Sequence, residues 1–142
     1  MSKMTEMESL MRKSGYSEKA MNYYIQKVNV GEISEPSVSF AYTGPCGDTM
    51  EIFLEIGSDN VIRDAKFQAI GCAGAFASGS ALTEMIKGKT LVQAKKIDED
   101  NIMNHLGHIP AQKIHCVCLA RRTLEKAIER YKTKIKDSTE IK

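Results

Sequence analysis

Along residues 49–56 the chain alternates: Met50, Ile52, Leu54 and Ile56 fall on one side, Glu51, Phe53 and Glu55 on the other. A period of two is that of a strand with one buried face. Gly57-Ser58-Asp59-Asn60 predicts a turn, and residues 61–70 resume the alternation with Ala65, Phe67 and Ala69 on one face. Together with a strand over 37–42, the pattern predicts an antiparallel three-stranded meander.

Elsewhere the period is helical. Ser17 is the N-cap of a predicted helix reaching about Lys27, with Ala20, Met21, Tyr24 and Val28 on one stripe. From Ala73 to Ile86 the residues are mostly small, which predicts a helix packed close to the sheet, with Gly74 and Gly79 each costing roughly 1 kcal/mol of helix propensity. Thr90 and Asp98 cap two short surface helices, the second stopping at Gly107. A last helix over 116–135 buries Ala120, Leu124, Ala127, Ile128, Tyr131 and Ile135 and turns a basic face outward. Residues 1–15 show no clear periodicity and are expected to be flexible. Residues 16–136 form a single domain, and 137–142 a disordered tail.

The 142 residues suffice for a core that needs no metal or disulfide to hold it. A formal charge of +2 is too balanced for nucleic acid to be the main partner. Neither a membrane-spanning run nor a secretory leader is evident, so a soluble, cytoplasmic protein with no membrane partner is expected. Four cysteines in such a chain read as reduced thiols, metal ligands or catalytic groups sooner than as disulfides.

Those cysteines carry the chemistry. Gly44-Pro45-Cys46-Gly47-Asp48 bends the chain and aims a thiol and a carboxylate from one loop tip. The third strand returns to that same end, so Cys72, two residues past Ile70 and just before a helix start, emerges near them. His115 and Cys116 lie at the start of the last helix and can reach a ligand off its end. The assembled candidates for metal or cluster ligands are Cys46, Asp48, Cys72, His115 and Cys116. His105 and His108 flank a helix stop and receive no ligand role, and Cys118 reads as a small core residue. Without paired C-x2-C knuckles a structural zinc site is the weaker alternative, and a thiol-based sulfur transferase is weaker still.

Taken together, Gly44-Pro45-Cys46-Gly47-Asp48, Gly71-Cys72 before an Ala/Ser-rich helix, Lys87-Gly88-Lys89 with Leu91, and Lys113-Ile114-His115-Cys116 with Leu119-Ala120 resemble the iron-sulfur cluster assembly scaffolds of the IscU and NifU N-terminal type. The resemblance runs from Tyr16 to about Lys134. It implies an α+β fold, here the meander with helices packed mainly on one face and a long C-terminal helix. It also implies a non-enzymatic scaffold on which a [2Fe-2S] cluster is built and then passed to apo-proteins. Cys46, Cys72 and Cys116 would be ligands, with the fourth position shared between Asp48 and His115, and zinc the occupant of the cluster-free form. Cys116 would accept persulfide sulfur from a cysteine desulfurase. Ferredoxin and frataxin-like proteins are further candidate partners, and a homodimer is compatible with Tyr16, which looks like a family tyrosine linked to self-association. His115 stands where a Suf-type branch has a basic residue. His108-Ile109-Pro110-Ala111-Gln112-Lys113 departs from the family's Leu-Pro-Pro-Val-Lys loop, so a dedicated heat-shock chaperone pair is not expected.

Overall fold

A computed structural model of the chain describes the backbone of residues 3–141 and the side chains of 6–135. Its centre is an antiparallel sheet of β1 (Val38–Thr43), β2 (Thr49–Ile56) and β3 (Ile62–Ile70), with β2 in the middle. Register places Phe40, Ile52 and Phe67 side by side, and Tyr42, Met50 and Ala69 in the next row. This face carries the core, as the alternation predicts. Phe53, on the opposite face, is buried as well but lies outside that cluster.

Two helices cover the inner face. α3 (Ala73–Ile86) packs on β3, and α6 (Ile114–Ile141) packs on β1, β2 and α3. The small residues of α3 are what permit this closeness. A Cβ at Gly79 would stand 2.5 Å from the Phe67 ring, so the helix propensity given up at Gly79 lets the ring lie against the helix backbone.

The remaining helices close the layer. α2 (Glu18–Gln26) is capped by Ser17, whose hydroxyl accepts the Ala20 N–H at 3.0 Å. Capping boxes begin α4 (Leu91–Lys95) at Thr90 and α5 (Glu99–Leu106) at Asp98. α5 is more than a surface element, because Ile102 and Leu106 are fully buried. His105 and His108 each make a hydrogen bond to another segment: the His105 ring is hydrogen-bonded to the Tyr23 hydroxyl at 2.8 Å, and His108 Nδ1 to the Gly15 carbonyl at 2.8 Å.

Both ends differ from expectation. Residues 3–14 form a helix, α1 (Lys3–Ser14), instead of a flexible start; it ends before Gly15, which adopts a positive φ, and it packs on α2 with Met11 buried. Met4, Met7 and Met11 repeat at three- and four-residue spacing, an apolar stripe short enough to be overlooked. At the other end α6 continues to Ile141 where a disordered tail is expected, and it starts two residues earlier, at Ile114. Residues 1, 2 and 142, at the outer ends of these expected segments, lie outside those described.

Candidate metal centre

Three chain reversals meet at one end of the sheet. Thr49 faces Thr43 on one side and Ile70 on the other, so the β1–β2 turn and the exit of β3 share an edge. The turn is tied by Gly44 N–H to Asp48 O at 2.9 Å and Gly47 N–H to Gly44 O at 3.0 Å, and Gly47 has the positive φ that such a bend requires. Cys72 follows in the N-cap position of α3, with its thiol not used as a cap. From the third side, the turn Ala111–Lys113 delivers His115 and Cys116 on the first turn of α6.

The five residues singled out in the sequence form two overlapping trios, within each of which the ligand atoms all lie within 4.8 Å of one another. One is Asp48, Cys72 and Cys116; the other is Cys46, Asp48 and His115. Cys72 Sγ is 3.5 Å from Cys116 Sγ and 3.9 Å from Asp48 Oδ2. Asp48 is common to both trios, whereas Cys46 and Cys116 belong to different ones.

Two glycines shape the site, and the sequence reading gave neither this role. A Cβ at Gly71 would come within 2.8 Å of the Asp48 carboxylate, so its absence makes the seat for that group. A Cβ at Gly74 would lie 3.2 Å from Cys116 Sγ, which lets α3 and α6 bring their first turns together. Their signal in the sequence is a glycine on either side of Cys72, within two residues.

Exposure grades the thiols. Cys46 is exposed, Cys72 intermediate and Cys116 fully buried. Burial pushes the Cys116 thiol well above its ordinary pKa, helped by its hydrogen bond with Cys72 and the nearby charges of Cys72 and Asp48; Lys113 pulls the other way. Tyr16, buried beside this pair, is raised to about 12 by desolvation and then by the two cysteines.

Cys118 corrects an expectation. It is exposed, not a core residue, and lines a cavity of about 570 Å³ with Tyr42, Cys46, His115, Leu119 and Arg122. Two residues along a helix is a rotation of about 200°, which carries it away from the side on which Cys116 is buried.

A family model described as the NifU-like N terminal domain matches residues 15–138. The chain belongs to this family. Among its relatives, an Archaeoglobus fulgidus protein named iron-sulfur cluster assembly scaffold protein IscU 1 is 43% identical over 117 residues, covering 82% of this chain and 76% of that one. A Rickettsia prowazekii protein named as an IscU scaffold is 40% identical, covering 84% and 93%. A Nostoc protein named nitrogen fixation protein NifU is 39% identical, and the match takes up only 42% of its length. In fold, the chain is similar to a crystal structure from Fervidobacterium islandicum, titled as a putative scaffold for a SUF system, with a TM-score of 0.65 and 27% identity over 80% of this chain and 96% of the other. The α+β family fold agrees with the meander and long final helix read from the sequence.

Proposed function

We propose that this member of the family is a scaffold on which a [2Fe-2S] cluster is assembled from iron and desulfurase-derived sulfur and then handed to apo-proteins. The observation that carries the reading is the Asp48 carboxylate, shared between two trios that together hold three thiols and an imidazole from three separate chain segments. The relatives named as iron-sulfur cluster assembly scaffolds support it. The cluster is cargo: Cys46, Cys72 and Cys116 hold it with sulfur, and Asp48 supplies the fourth, harder ligand. His115 is the alternative fourth ligand, one that lies in a single trio. In the cluster-free form, Asp48, Cys72 and Cys116 give zinc three ligands and leave a position open. The protein acts as a carrier rather than an enzyme, with a cysteine desulfurase and apo-proteins as its partners in the cytoplasm, and with ferredoxin and frataxin-like proteins as further ones.

Exposure makes Cys72 the first thiol of its pair that an incoming persulfide meets, with Cys116 joining in sulfur handling behind it. A purely structural zinc module is less well supported, because the core of sheet, α3 and α6 is closed by apolar side chains. The test is anaerobic reconstitution of the full chain with ferrous iron, cysteine and a cysteine desulfurase, followed by Mössbauer spectroscopy. The expected product is a coloured protein with about two irons per cluster-bearing site, with an iron environment altered by Asp48→Ala more than by His115→Ala. A colourless product, or one zinc whose removal unfolds the domain, would refute the scaffold reading.

A further inference from the structure

Cys72 and Cys116 come from two helix starts, and their sulfurs lie 3.5 Å apart, at the near-attack separation from which one sulfur can displace a group on the other. Both are free thiols; one is partly open to solvent and the other is fully buried behind it. On α3 the residue against Cys116 is Gly74, where an added Cβ would stand 3.2 Å from its Sγ. A metal trio needs these thiols to share a centre with Asp48. It does not need one thiol to be reachable and the other to touch it from the buried side.

Resting on the scaffold reading, we propose that Cys72 and Cys116 also act as a dithiol that converts incoming sulfane sulfur to sulfide, with Cys72 carrying the persulfide and Cys116 resolving it. A persulfide donor, the desulfurase or a small hydropersulfide, passes its outer sulfur to the Cys72 thiolate and departs as a thiol. Cys116 Sγ then attacks the inner sulfur, Cys72 Sγ. The Cys72–Cys116 bond forms and the bond to the outer sulfur breaks. That sulfur leaves as hydrosulfide with the bonding electron pair and the Cys116 proton. The two cysteines lose the two electrons that the sulfane sulfur gains, so this step needs no other reductant. An external dithiol then reduces the disulfide and is itself oxidised, resetting the pair.

Closing the pair brings the sulfurs from 3.5 Å to about 2 Å at two adjacent helix starts. The direction of transfer follows from access, since Cys72 is the member of the pair that solvent reaches. Sulfide, the oxidation level a cluster uses, is thereby released beside Asp48, which lies 3.9 Å from Cys72 Sγ.

The test uses the full chain, reduced, stripped of metal with a chelator and desalted. It is treated anaerobically with an equivalent of cysteine hydropersulfide carrying heavy sulfur in the outer position, then freed quickly of small thiols. Bimane trapping measures labelled sulfide, and peptide mass spectrometry locates disulfides. Labelled sulfide is expected to appear in step with a Cys72–Cys116 disulfide, one for one. Cys116→Ser and Cys116→Ala should hold the label as a Cys72 persulfide and release at least about tenfold less sulfide, while Cys118→Ser behaves as the parent. The parent protein tests the idea even where a Cys116 variant folds poorly. A disulfide joining any other pair, retention of the label by the parent, or parental release from folded Cys116 variants would overturn the proposal. Reconstitution of the parent with iron and inorganic sulfide reads the scaffold function separately. A cluster formed by a protein that makes no Cys72–Cys116 disulfide sinks this proposal alone. The disulfide and sulfide without any cluster support it and sink the scaffold reading.

Discussion

The Asp48 carboxylate reaches to 3.9 Å from Cys72 Sγ across the junction of two loops, and it fits there because Gly71 has no side chain. Asp48 is therefore packed into the site, in contact with the sulfur that also faces Cys116. A hard oxygen ligand among thiolates binds iron less firmly than a further sulfur and leaves one corner of a cluster exchangeable. Asp48→Ala is expected to lengthen the lifetime of an assembled cluster and to slow its transfer to apo-ferredoxin by about tenfold. The rise of the ferredoxin circular dichroism signal measures the transfer. A half-time equal to the parent's would remove Asp48 from this role.

The gradient of thiol exposure predicts an order of chemical reactivity. In metal-free protein near neutral pH, iodoacetamide should label Cys46 and Cys118 first and Cys72 next. Cys116 should react at least about tenfold more slowly, since burial both blocks access and disfavours the thiolate that reacts. Added zinc should protect Cys72 and leave Cys118 open to labelling, because Asp48, Cys72 and Cys116 form a trio without it. Peptide mass spectrometry after timed quenching reads all four rates. Equal labelling of Cys116 and Cys46 would contradict the buried placement.

Much of this arrangement is legible in the residue pattern, for identifiable reasons. Alternation over residues 49–56 and 61–70 specifies both strands and their buried face, and antiparallel pairing carries Cys72 back to the Cys46–Asp48 turn. Ser17, Thr90 and Asp98 are legible because a capping side chain acts on backbone two or three residues away. What depends on contacts between distant segments is not legible. Cys118 is an apolar-type residue beside the buried Val117 and Leu119 of α6, and only the position of the Gly44–Asp48 turn shows that its side of the helix stays open. The seat that Gly71 makes for Asp48 involves side chains far apart in sequence. The α1 helix is not legible because its packing against α2 is a tertiary contact, added to a weak local stripe.

Alkaline pH should loosen the metal-free fold through Tyr16 and Cys116. Both groups have folded-state pKa values raised above their ordinary 10.0 and 9.0, Tyr16 to about 12, with desolvation the leading cause. Each is neutral in folded and unfolded chains alike below its unfolded value, so its contribution to stability is fully present there. As pH rises above about 9 the unfolded chain ionises first, and stability falls until the folded groups titrate as well. Urea midpoints are expected to hold steady from neutral pH to about 8.5 and then decline. Tyr16→Phe should flatten the part of the decline above pH 10. A curve of unchanged slope in that variant would show that Tyr16 ionises as freely in the fold as in the unfolded chain.

Gly79 poses the sharpest packing test, since local propensity and tertiary contact pull in opposite directions there. Alanine would gain about 1 kcal/mol in helix propensity. Its Cβ, however, would stand 2.5 Å from Phe67 Cε2, and Phe67 is fully buried between Ile52 on the neighbouring strand and the α3 helix. The ring has no solvent to move into, so either it leaves its rotamer or α3 lifts from β3, an overpacking cost of about 3 kcal/mol. Gly79→Ala is expected to destabilise the metal-free protein by about 2 kcal/mol net, with a lower urea midpoint and an unchanged denaturant slope. A further Phe67→Leu substitution should restore part of the loss, because it removes the ring atoms that the new methyl meets. Stabilisation by Gly79→Ala alone would mean that α3 and β3 are not held at this distance.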